Sequence, residues 1–242
     1  DCFNDNCLSL PKNHVFCLYR AGKLSCELYE EGIELIKDIP DNTKLTDKQS
    51  IQRDCEINNK VNIHKESLKH FIKTLHYPLN CLDFETFQTA IPLFNGLKPY
   101  SQVPFQFSLH IVNKDSKHHE YLYQGNKDPR KEFIEALKKD LPDKGIIVVY
   151  NQSFEIGRLK ELASFSPEHK SWIENNLLPR IVDLIVPFRN FSYYNPKQEG
   201  SASIKDVLPA ITNKSYKGME IADGSTASVM FYNMAYGNLY KE

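Results

Sequence analysis

Residues 145–151 (Gly-Ile-Ile-Val-Val-Tyr-Asn) constrain the fold of this chain more than any other segment. Four consecutive β-branched residues with no polar residue between them are typical of a strand that is buried on both faces. The pattern that follows predicts a helix over residues 154–165, which returns the chain across the sheet. A strand covered on both faces and followed by such a helix is expected in an α/β domain.

Other segments predict the rest of the sheet. In residues 103–111, apolar side chains occupy every second position, which predicts a strand with one buried face. Strands that first follow one another in hairpin order and then alternate with helices indicate an α/β domain with a mixed sheet flanked by helices. The further strands are predicted at residues 82–86, 120–124 and 181–184, and the further helices at residues 129–141 and 168–177 and near Ile204 and Val229.

Residues 1–79 are predicted to form a small helical region ahead of this domain. Apolar spacing predicts helices over residues 22–32 and 65–75. Residues 46–49 (Thr-Asp-Lys-Gln) resemble a capping box that opens a helix toward Cys55. Because the pattern becomes strand-like from residue 80, we place the boundary there, so that the second domain comprises residues 80–242.

The balance of charges gives no electrostatic footprint for nucleic acid. Thirty Lys and Arg residues against 31 Asp and Glu residues give a formal charge of -1, and neither predicted domain is basic. Any nucleic-acid site must therefore be a local patch or must recruit cations. The sequence contains no apolar run long enough for a membrane span and begins without an export signal, so we expect a cytoplasmic protein that does not contact membranes. The six cysteines are then expected as free thiols or metal ligands rather than as disulfides.

Acidic residues on or next to the predicted strands are the candidates for chemistry. Asp83 and Glu85 are two positions apart on a strand, so both carboxylates lie on one face. Such a pair meets cations or shares a proton, and oxygen ligands favour Mg²⁺ or Mn²⁺; the alternative is a solvated strand end with two ordinary acids. Glu155 falls in the first turn of a helix, where it either stabilises the helix dipole or completes a cation site with Asp83 and Glu85. Asp183 is a further acid on a strand, and its alternative role is a salt bridge to a neighbouring Lys or Arg.

Residues 188–197 interleave aromatic and basic side chains, among them Arg189, Tyr193 and Lys197. Such a segment suits a single nucleic-acid strand, because bases stack on aromatic rings and phosphates contact Arg or Lys. Lys205, at a predicted helix start, is a further candidate for a phosphate contact. The alternative is that the phenylalanines of this segment pack in the core while its charges, like that of Lys205, are only solvated.

Several motifs in a consistent order resemble known proteins. Residues 82–86 (Leu-Asp-Phe-Glu-Thr) resemble the first motif of the DEDD superfamily of 3′-to-5′ exonucleases, which have an RNase H-like fold, and residues 151–155 (Asn-x-x-Phe-Glu) resemble the second. A narrower likeness is to the bacterial domain-of-unknown-function family numbered 2779, and it covers about residues 76–235. The segments similar to that family are residues 82–87, 104–110, 180–184 and 203–210.

The resemblance implies an RNase H-like sheet in which four acids hold two divalent ions, Mg²⁺ or Mn²⁺, that activate a water for attack on a phosphodiester. By this analogy Asp83 binds both ions and Glu85 binds one. Glu155 stands where these exonucleases usually carry Asp, Asp183 is a catalytic acid of second rank, and Asn151 lies at the substrate.

The fourth acid of the superfamily usually follows a Tyr by four residues in a late helix, and this chain has no such Tyr-x-x-x-Asp motif. The resemblance places that motif beyond Glu242, so we expect a domain truncated at its C-terminus; the alternative is that catalysis has been lost.

The first residues carry a weaker likeness. Cys2 and Cys7 resemble the cysteine-rich end of a RecB-like nuclease module, whose cysteines bind an iron-sulfur cluster. Most ligands of such a cluster would lie outside this chain, so no cluster is expected within the chain alone, and the module is a candidate upstream partner in the same polypeptide. Residues 22–40 are faintly similar to a helix-hairpin-helix DNA-binding unit but lack its glycine pattern.

Together these features predict a metal-dependent nuclease, specifically a 3′-to-5′ exonuclease that acts on a single-stranded end of DNA or RNA. The alternative is a noncatalytic nucleic-acid-binding or scaffolding module of a larger nuclease protein. A third hypothesis, a domain that only binds other proteins, predicts no affinity for nucleic acid even at low salt.

Overall fold

The computed structural model describes residues 10–216, 218 and 224–237. No helix within these ranges is long and apolar enough to cross a membrane. The helices found there are α1 (Lys23–Glu30), α2 (Asp47–Asn58), α3 (Lys65–Ile72), α4 (Arg130–Asp140), α5 (Gln152–Phe165), α6 (Pro167–Trp172), α7 (Val186–Arg189), α8 (Ile204–Thr212) and α9 (Gly224–Tyr236). The strands are β1 (Asn62–Ile63), β2 (Leu79–Phe87), β3 (Val103–Val112), β4 (Ser116–Leu122), β5 (Ile146–Val149), β6 (Ile181–Asp183) and β7 (Tyr193–Tyr194).

The chain divides into two compact units. The first comprises Asp1–Lys73 and Ile185–Ser215, and the second comprises Thr74–Leu184 and Tyr216–Glu242. The first division lies six residues before the predicted boundary at 79/80. Residues 185–215 differ from the prediction, which assigned them to the second domain, because β7 in this segment pairs antiparallel with β1 of the N-terminal region.

In the first unit, α2 begins at the predicted capping box. Thr46 Oγ1 accepts a hydrogen bond from the Gln49 N–H, and Gln49 Oε1 accepts one from the Thr46 N–H over 2.9 Å. Further along α2, the fully buried Gln52 accepts from the Tyr19 N–H (2.7 Å) and donates to the Cys17 carbonyl (2.9 Å). These bonds tie α2 to the segment before α1. The apolar core beside them consists of Val15, Leu18, Leu28, Ile36 and Ile39.

Helix α3 confirms the helix predicted from residue 65, although it ends three residues earlier than expected. The expected apolar face is only partly covered in this unit. Leu68 and Phe71 are half-buried, and Ile72 is 61% exposed. Amphipathic spacing therefore predicted the helix correctly but overestimated its burial.

The second unit contains the predicted mixed sheet. Its five strands are ordered β4-β3-β2-β5-β6, in which β3 runs antiparallel to both neighbours while β5 is parallel to β2 and to β6. All four residues of β5 are buried, as the β-branched run predicts. The parallel strands β2, β5 and β6 all end at the same edge of the sheet.

The core of the second unit lies between one face of the sheet and the helices α4 and α5. Phe84 of β2 and Phe107 of β3 both pack edge-on against Phe133 of α4, with ring centroids 5.3 Å and 5.6 Å apart. A second cluster forms where Phe231 of α9 stacks on Phe105 at 3.9 Å. The predicted helix over residues 168–177 is divided into α6 and a π-helical segment at Ile173–Leu177.

Candidate functional site

Strand β2 presents the first two candidate acids. Leu82 and Phe84 are buried in the core, whereas the alternate positions place Asp83 and Glu85 on the opposite face, as predicted. Asp83 is exposed and Glu85 is half-buried. Their cross-strand neighbours on β3 are the polar residues Ser108 and Gln106. The two carboxylates thus share a polar face of an otherwise apolar strand.

Glu155 lies in the first turn of α5, directly after the buried strand β5. It is only 2% exposed, and its Oε2 has no hydrogen-bond partner among the described residues. The backbone before this helix turns sharply, because Asn151 has the left-handed conformation (φ 76°) that asparagine tolerates better than most residues. This turn directs the beginning of α5 back toward the carboxyl ends of the strands.

Asp183, at the end of β6, holds this turn in place. Its carboxylate accepts hydrogen bonds from two backbone N–H groups, that of Asn151 to Oδ1 (2.9 Å) and that of Gln152 to Oδ2 (3.1 Å). Both donors belong to the N-terminus of α5, whose first N–H groups have no partner within the helix. The sequence suggested either a catalytic acid or a salt bridge for Asp183, and the structure gives it a capping role across the sheet.

Asp83 and Asp183 lie close enough to Glu155 for their charges to affect its pKa. Burial, the largest cause, and the negative charges of Asp83 and Asp183 together raise the pKa of Glu155 to about 7, against a lowering hydrogen bond from its own backbone. Desolvation also raises the pKa of Asp83, partly offset by a hydrogen bond from the Phe84 backbone.

Glu85 approaches a different element. Gly224 is the first residue of α9, and a Cβ atom placed on it would lie 3.0 Å from Glu85 Oε2. A larger residue at this position would therefore crowd the carboxylate. This contact depends on the packing of α9 against the end of β2, so no local pattern in the sequence predicts it.

These acids do not form a preassembled metal site. Within the described residues, no group of three or more His, Cys, Asp or Glu side chains is arranged to hold a metal ion. The partnerless Oε2 of Glu155, in the field of two further carboxylates, is nevertheless a donor that suits a hard cation. The residues fit a divalent ion by donor chemistry, because Asp83 and Glu155 both supply carboxylate oxygens and lie near each other.

The predicted substrate residues divide between the units. Asn151 lies beside the acids, and its Oδ1 accepts a hydrogen bond from Ser153 Oγ. The other four belong to the first unit. Arg189 ends α7, Tyr193 packs edge-on against Phe188 at 5.9 Å, and Lys197 and Lys205 are exposed.

The four cysteines that the structure describes, Cys17, Cys26, Cys55 and Cys81, are free thiols, as the sequence suggests. Cys17 lies 3.3 Å from His14 Nε2, and its pKa is raised to about 11 by burial and then by the charges of Glu199 and Glu56. This thiol is therefore protonated at neutral pH. Cys2 and Cys7, which resemble the cysteine-rich end of a RecB-like nuclease module, lie outside the described residues.

A mixed sheet flanked by helices, with acidic residues at the carboxyl ends of its parallel strands, identifies an α/β protein. It does not by itself identify the family. The chain belongs to the family of the domain of unknown function DUF2779, which matches residues 80–203. This range spans the sheet, Asp83, Glu85, Glu155 and Asp183. It confirms the narrower of the two resemblances seen in the sequence.

Two curated relatives are also uncharacterised. The chain is 28% identical over 166 residues to the uncharacterized protein MG366 homolog of Mycoplasma pneumoniae, covering 60% of this chain and 25% of that protein. It is 31% identical over 167 residues to the uncharacterized protein UU173 of Ureaplasma parvum, covering 64% of this chain and 24% of that protein. The chain thus spans about a quarter of the length of each relative.

A solved structure shows only a distant likeness. It is described as the yeast NOT1 MIF4G domain co-crystallized with CAF1, and it aligns with a TM-score of 0.36 at 14% identity, over 74% of this chain and 86% of that chain.

Proposed function

We propose that the protein is a metal-dependent nuclease that hydrolyses phosphodiesters, as a 3′-to-5′ exonuclease of DNA or RNA. The observation that carries this proposal is the buried carboxylate of Glu155, which has an oxygen without a partner and two acids nearby. A group of this kind is expected at a functional site, because burial and like charges make it costly to keep for stability alone.

The position of the acids within the sheet favours the same conclusion. Ligands of open α/β sheets bind outside the carboxyl ends of the strands, where the strand order reverses. Here the chain leaves β2 toward β3 on one side, while β5 and β6 lie on the other. Asp83, Glu155 and Asp183 all belong to this edge.

The resemblance to the DEDD exonucleases supports the finer assignment. A five-strand mixed sheet flanked by helices is the architecture that an RNase H-like domain requires. In the analogy, Asp83, Glu85 and Glu155 would hold Mg²⁺ or Mn²⁺. Held by these three carboxylates, the ions would supply Lewis acidity for the activation of a water and for the leaving oxygen.

The protein's own residues would act by positioning. Asp183 fixes the first turn of α5 and so holds Glu155 at the edge of the sheet. Asn151 presents an exposed amide beside the acids, where it can orient a phosphate oxygen. Arg189, Tyr193, Lys197 and Lys205, which belong to the first unit, are proposed as separate contacts to nucleic acid.

The direct test is degradation of end-labelled single-stranded DNA and RNA by the natural full-length protein with Mn²⁺. The comparison is the double variant Asp83→Asn, Glu85→Gln, with Glu135→Gln, an exposed acid on α4, as the matched control. We expect a ladder of products shortened from the 3′ end for the wild type and the control, and none for the double variant.

Absence of cleavage by all three folded proteins would contradict the nuclease proposal. If those proteins still bind the oligonucleotides, the noncatalytic nucleic-acid-binding module becomes the better assignment. Cleavage that persists in the double variant would contradict the assigned residues.

A further inference from the structure

The second unit contains a cavity that none of the predicted site residues lines. Its volume is about 410 Å³, and it lies between residues 95–104, the start of α4 and the second half of α5. Cavities of this size accept small organic ligands or part of a larger one. Its lining includes Lys98, Arg130 and Arg158 as cations and Glu161 as an anion, so the formal charge of the lining is +2.

Arg130 is fixed in the wall of this cavity. It is 8% exposed, and its Nε and Nη2 donate to the carboxylate of Asp128 at distances of 2.6 to 3.2 Å. The guanidinium also lies over the ring of Phe165, 3.8 Å from the centroid. Its Nη1 has no hydrogen-bond partner among the described residues, so two donors are oriented by the protein and left available.

Arg158 repeats the same arrangement on α5. Its Nε and Nη2 donate to the two oxygens of Glu161, one turn along the helix, at 2.8 Å and 2.6 Å. In the part of the chain that the structure describes, the Nη1 of Arg158 likewise has no partner. Lys98 contributes a third cation, exposed and without an ion pair to a described residue.

A guanidinium group whose Nε and Nη2 are held by a carboxylate has a fixed orientation, and its Nη1 can then donate to an anion. Arginine presents five N–H donors in a planar fork that matches phosphate oxygens, and ordering it beforehand reduces the entropy lost on binding. Two arginines oriented in this way and an exposed lysine thus place three cations around one cavity.

We propose that this cavity binds a phosphate group of the nucleic-acid strand, next to the phosphodiester that the acids would hydrolyse. Arg158 follows Glu155 by three residues on α5, which is about 4.5 Å along the helix axis. The assignment of the ligand as a strand phosphate rests on the proposed nuclease function. The presence of a phosphate site does not, because it depends only on the cations of the cavity.

The test is isothermal titration calorimetry in EDTA at low salt, with the oligonucleotide d(T)4 and inorganic phosphate as separate probes. We compare the wild type with Arg158→Gln and Lys98→Gln. Lys98 is exposed, so its replacement keeps the inference testable if Arg158→Gln fails to fold. Lys131→Gln is the matched control, since this exposed lysine on α4 is adjacent to Arg130 and does not line the cavity.

We expect d(T)4 to bind more tightly than inorganic phosphate, and each cavity variant to weaken d(T)4 binding by about tenfold, as for a lost charge-assisted hydrogen bond. The control should change it by less than about twofold. Equal affinity for both probes would overturn the assignment of the ligand as a strand phosphate, and unchanged binding in both cavity variants would overturn the phosphate site itself. Because EDTA removes metal ions, these outcomes are independent of whether the protein cleaves nucleic acid.

Discussion

Glu155 lies in the first turn of α5. A glutamate in the first turn of a helix is normally a favourable surface residue. Here the side chain is buried, one oxygen lacks a partner among the described residues, and burial raises its pKa to about 7. Departures of this kind are expected where a residue serves function rather than stability.

The raised pKa of Glu155 predicts how the metal-free protein responds to pH. The folded state holds this proton up to about pH 7, whereas the unfolded chain releases it near 4.5. The folded state therefore binds more protons between these values, and the free energy of unfolding falls as the pH rises through that window. The contribution is about 3 kcal/mol, present below pH 4.5 and lost above pH 7.

Replacing Glu155 by Gln should remove this pH dependence. In urea titrations with EDTA, we expect Glu155→Gln to match the wild type near pH 4.5 and to exceed its free energy of unfolding at pH 8. Glu135→Gln, at an exposed position on α4, should follow the wild type at both pH values. A wild type that is no less stable at pH 8 than the Gln variant would contradict a buried, unpaired carboxylate.

Asp183 makes a separate prediction, because its carboxylate satisfies two N–H groups of α5. Asp183→Ala leaves both donors without their acceptor and should lower the free energy of unfolding by about 2–4 kcal/mol. Asp183→Asn keeps one acceptor oxygen and should cost about half of that. Equal stability of all three proteins in urea would contradict the capping role.

The sequence predicted the arrangement of Asp83 and Glu85 because strand alternation is a local property. It predicted the position of Glu155 in the first turn of a helix for the same reason. The capping role of Asp183 could not be predicted, since its donors belong to residues more than thirty positions away. The cations of the cavity were missed because Arg130 and Arg158 come together only through the packing of α4 and α5.

At the scale of elements, the turn from β5 into α5 determines where Glu155 lies. Asn151 in this turn has φ 76°, a conformation that costs alanine about 1–2 kcal/mol but costs glycine little. Asn151→Ala should therefore lower the melting temperature more than Asn151→Gly does. If the Asn151 side chain also contacts substrate, both variants should lose activity equally. If the activity instead falls in proportion to the loss of stability, Asn151 serves only to shape the backbone.

Elements with strong local signals agree with their prediction, and elements without them do not. The capping box at Thr46 and the fully buried β5 follow from residues within a few positions of each other. The strands β1 and β7 contain two residues each and pair across a long sequence separation, so no periodic pattern predicts them. The division of the helix after α6 by a π-helical segment likewise has no local signal.

At the scale of the whole molecule, the order of residues along the chain does not match the two compact units. Residues 185–215 follow the sheet in sequence but belong to the first unit. A prediction with a single boundary at residue 80 could not assign them there. The four candidate acids all belong to the second unit, whereas most of the residues predicted to contact nucleic acid belong to the first. The mixed sheet was thus predicted more completely than the extent of the two compact units.

Because the molecule is nearly neutral, we expect its affinity for nucleic acid to depend only moderately on salt concentration. With a formal charge of -1, binding should rely on local cations rather than on a broad basic surface. If three cavity cations contact phosphates, the logarithm of the affinity for a single strand should fall against log salt with a slope of about -2. Fluorescence anisotropy should show a slope shallower by about 0.7 for Lys98→Gln, and a wild-type slope of about -4 would indicate that Arg189, Lys197 and Lys205 contact phosphates as well.

The most direct test of the central claim, that the acids at the carboxyl edge of the sheet bind a divalent ion, is a Mn²⁺ titration followed by electron paramagnetic resonance. We expect the natural protein to remove Mn²⁺ from solution, Asp83→Asn and Glu155→Gln each to weaken this binding by more than about tenfold, and Glu135→Gln to leave it unchanged. Mn²⁺ binding that is absent, or that is equal in all four folded proteins, would contradict the account.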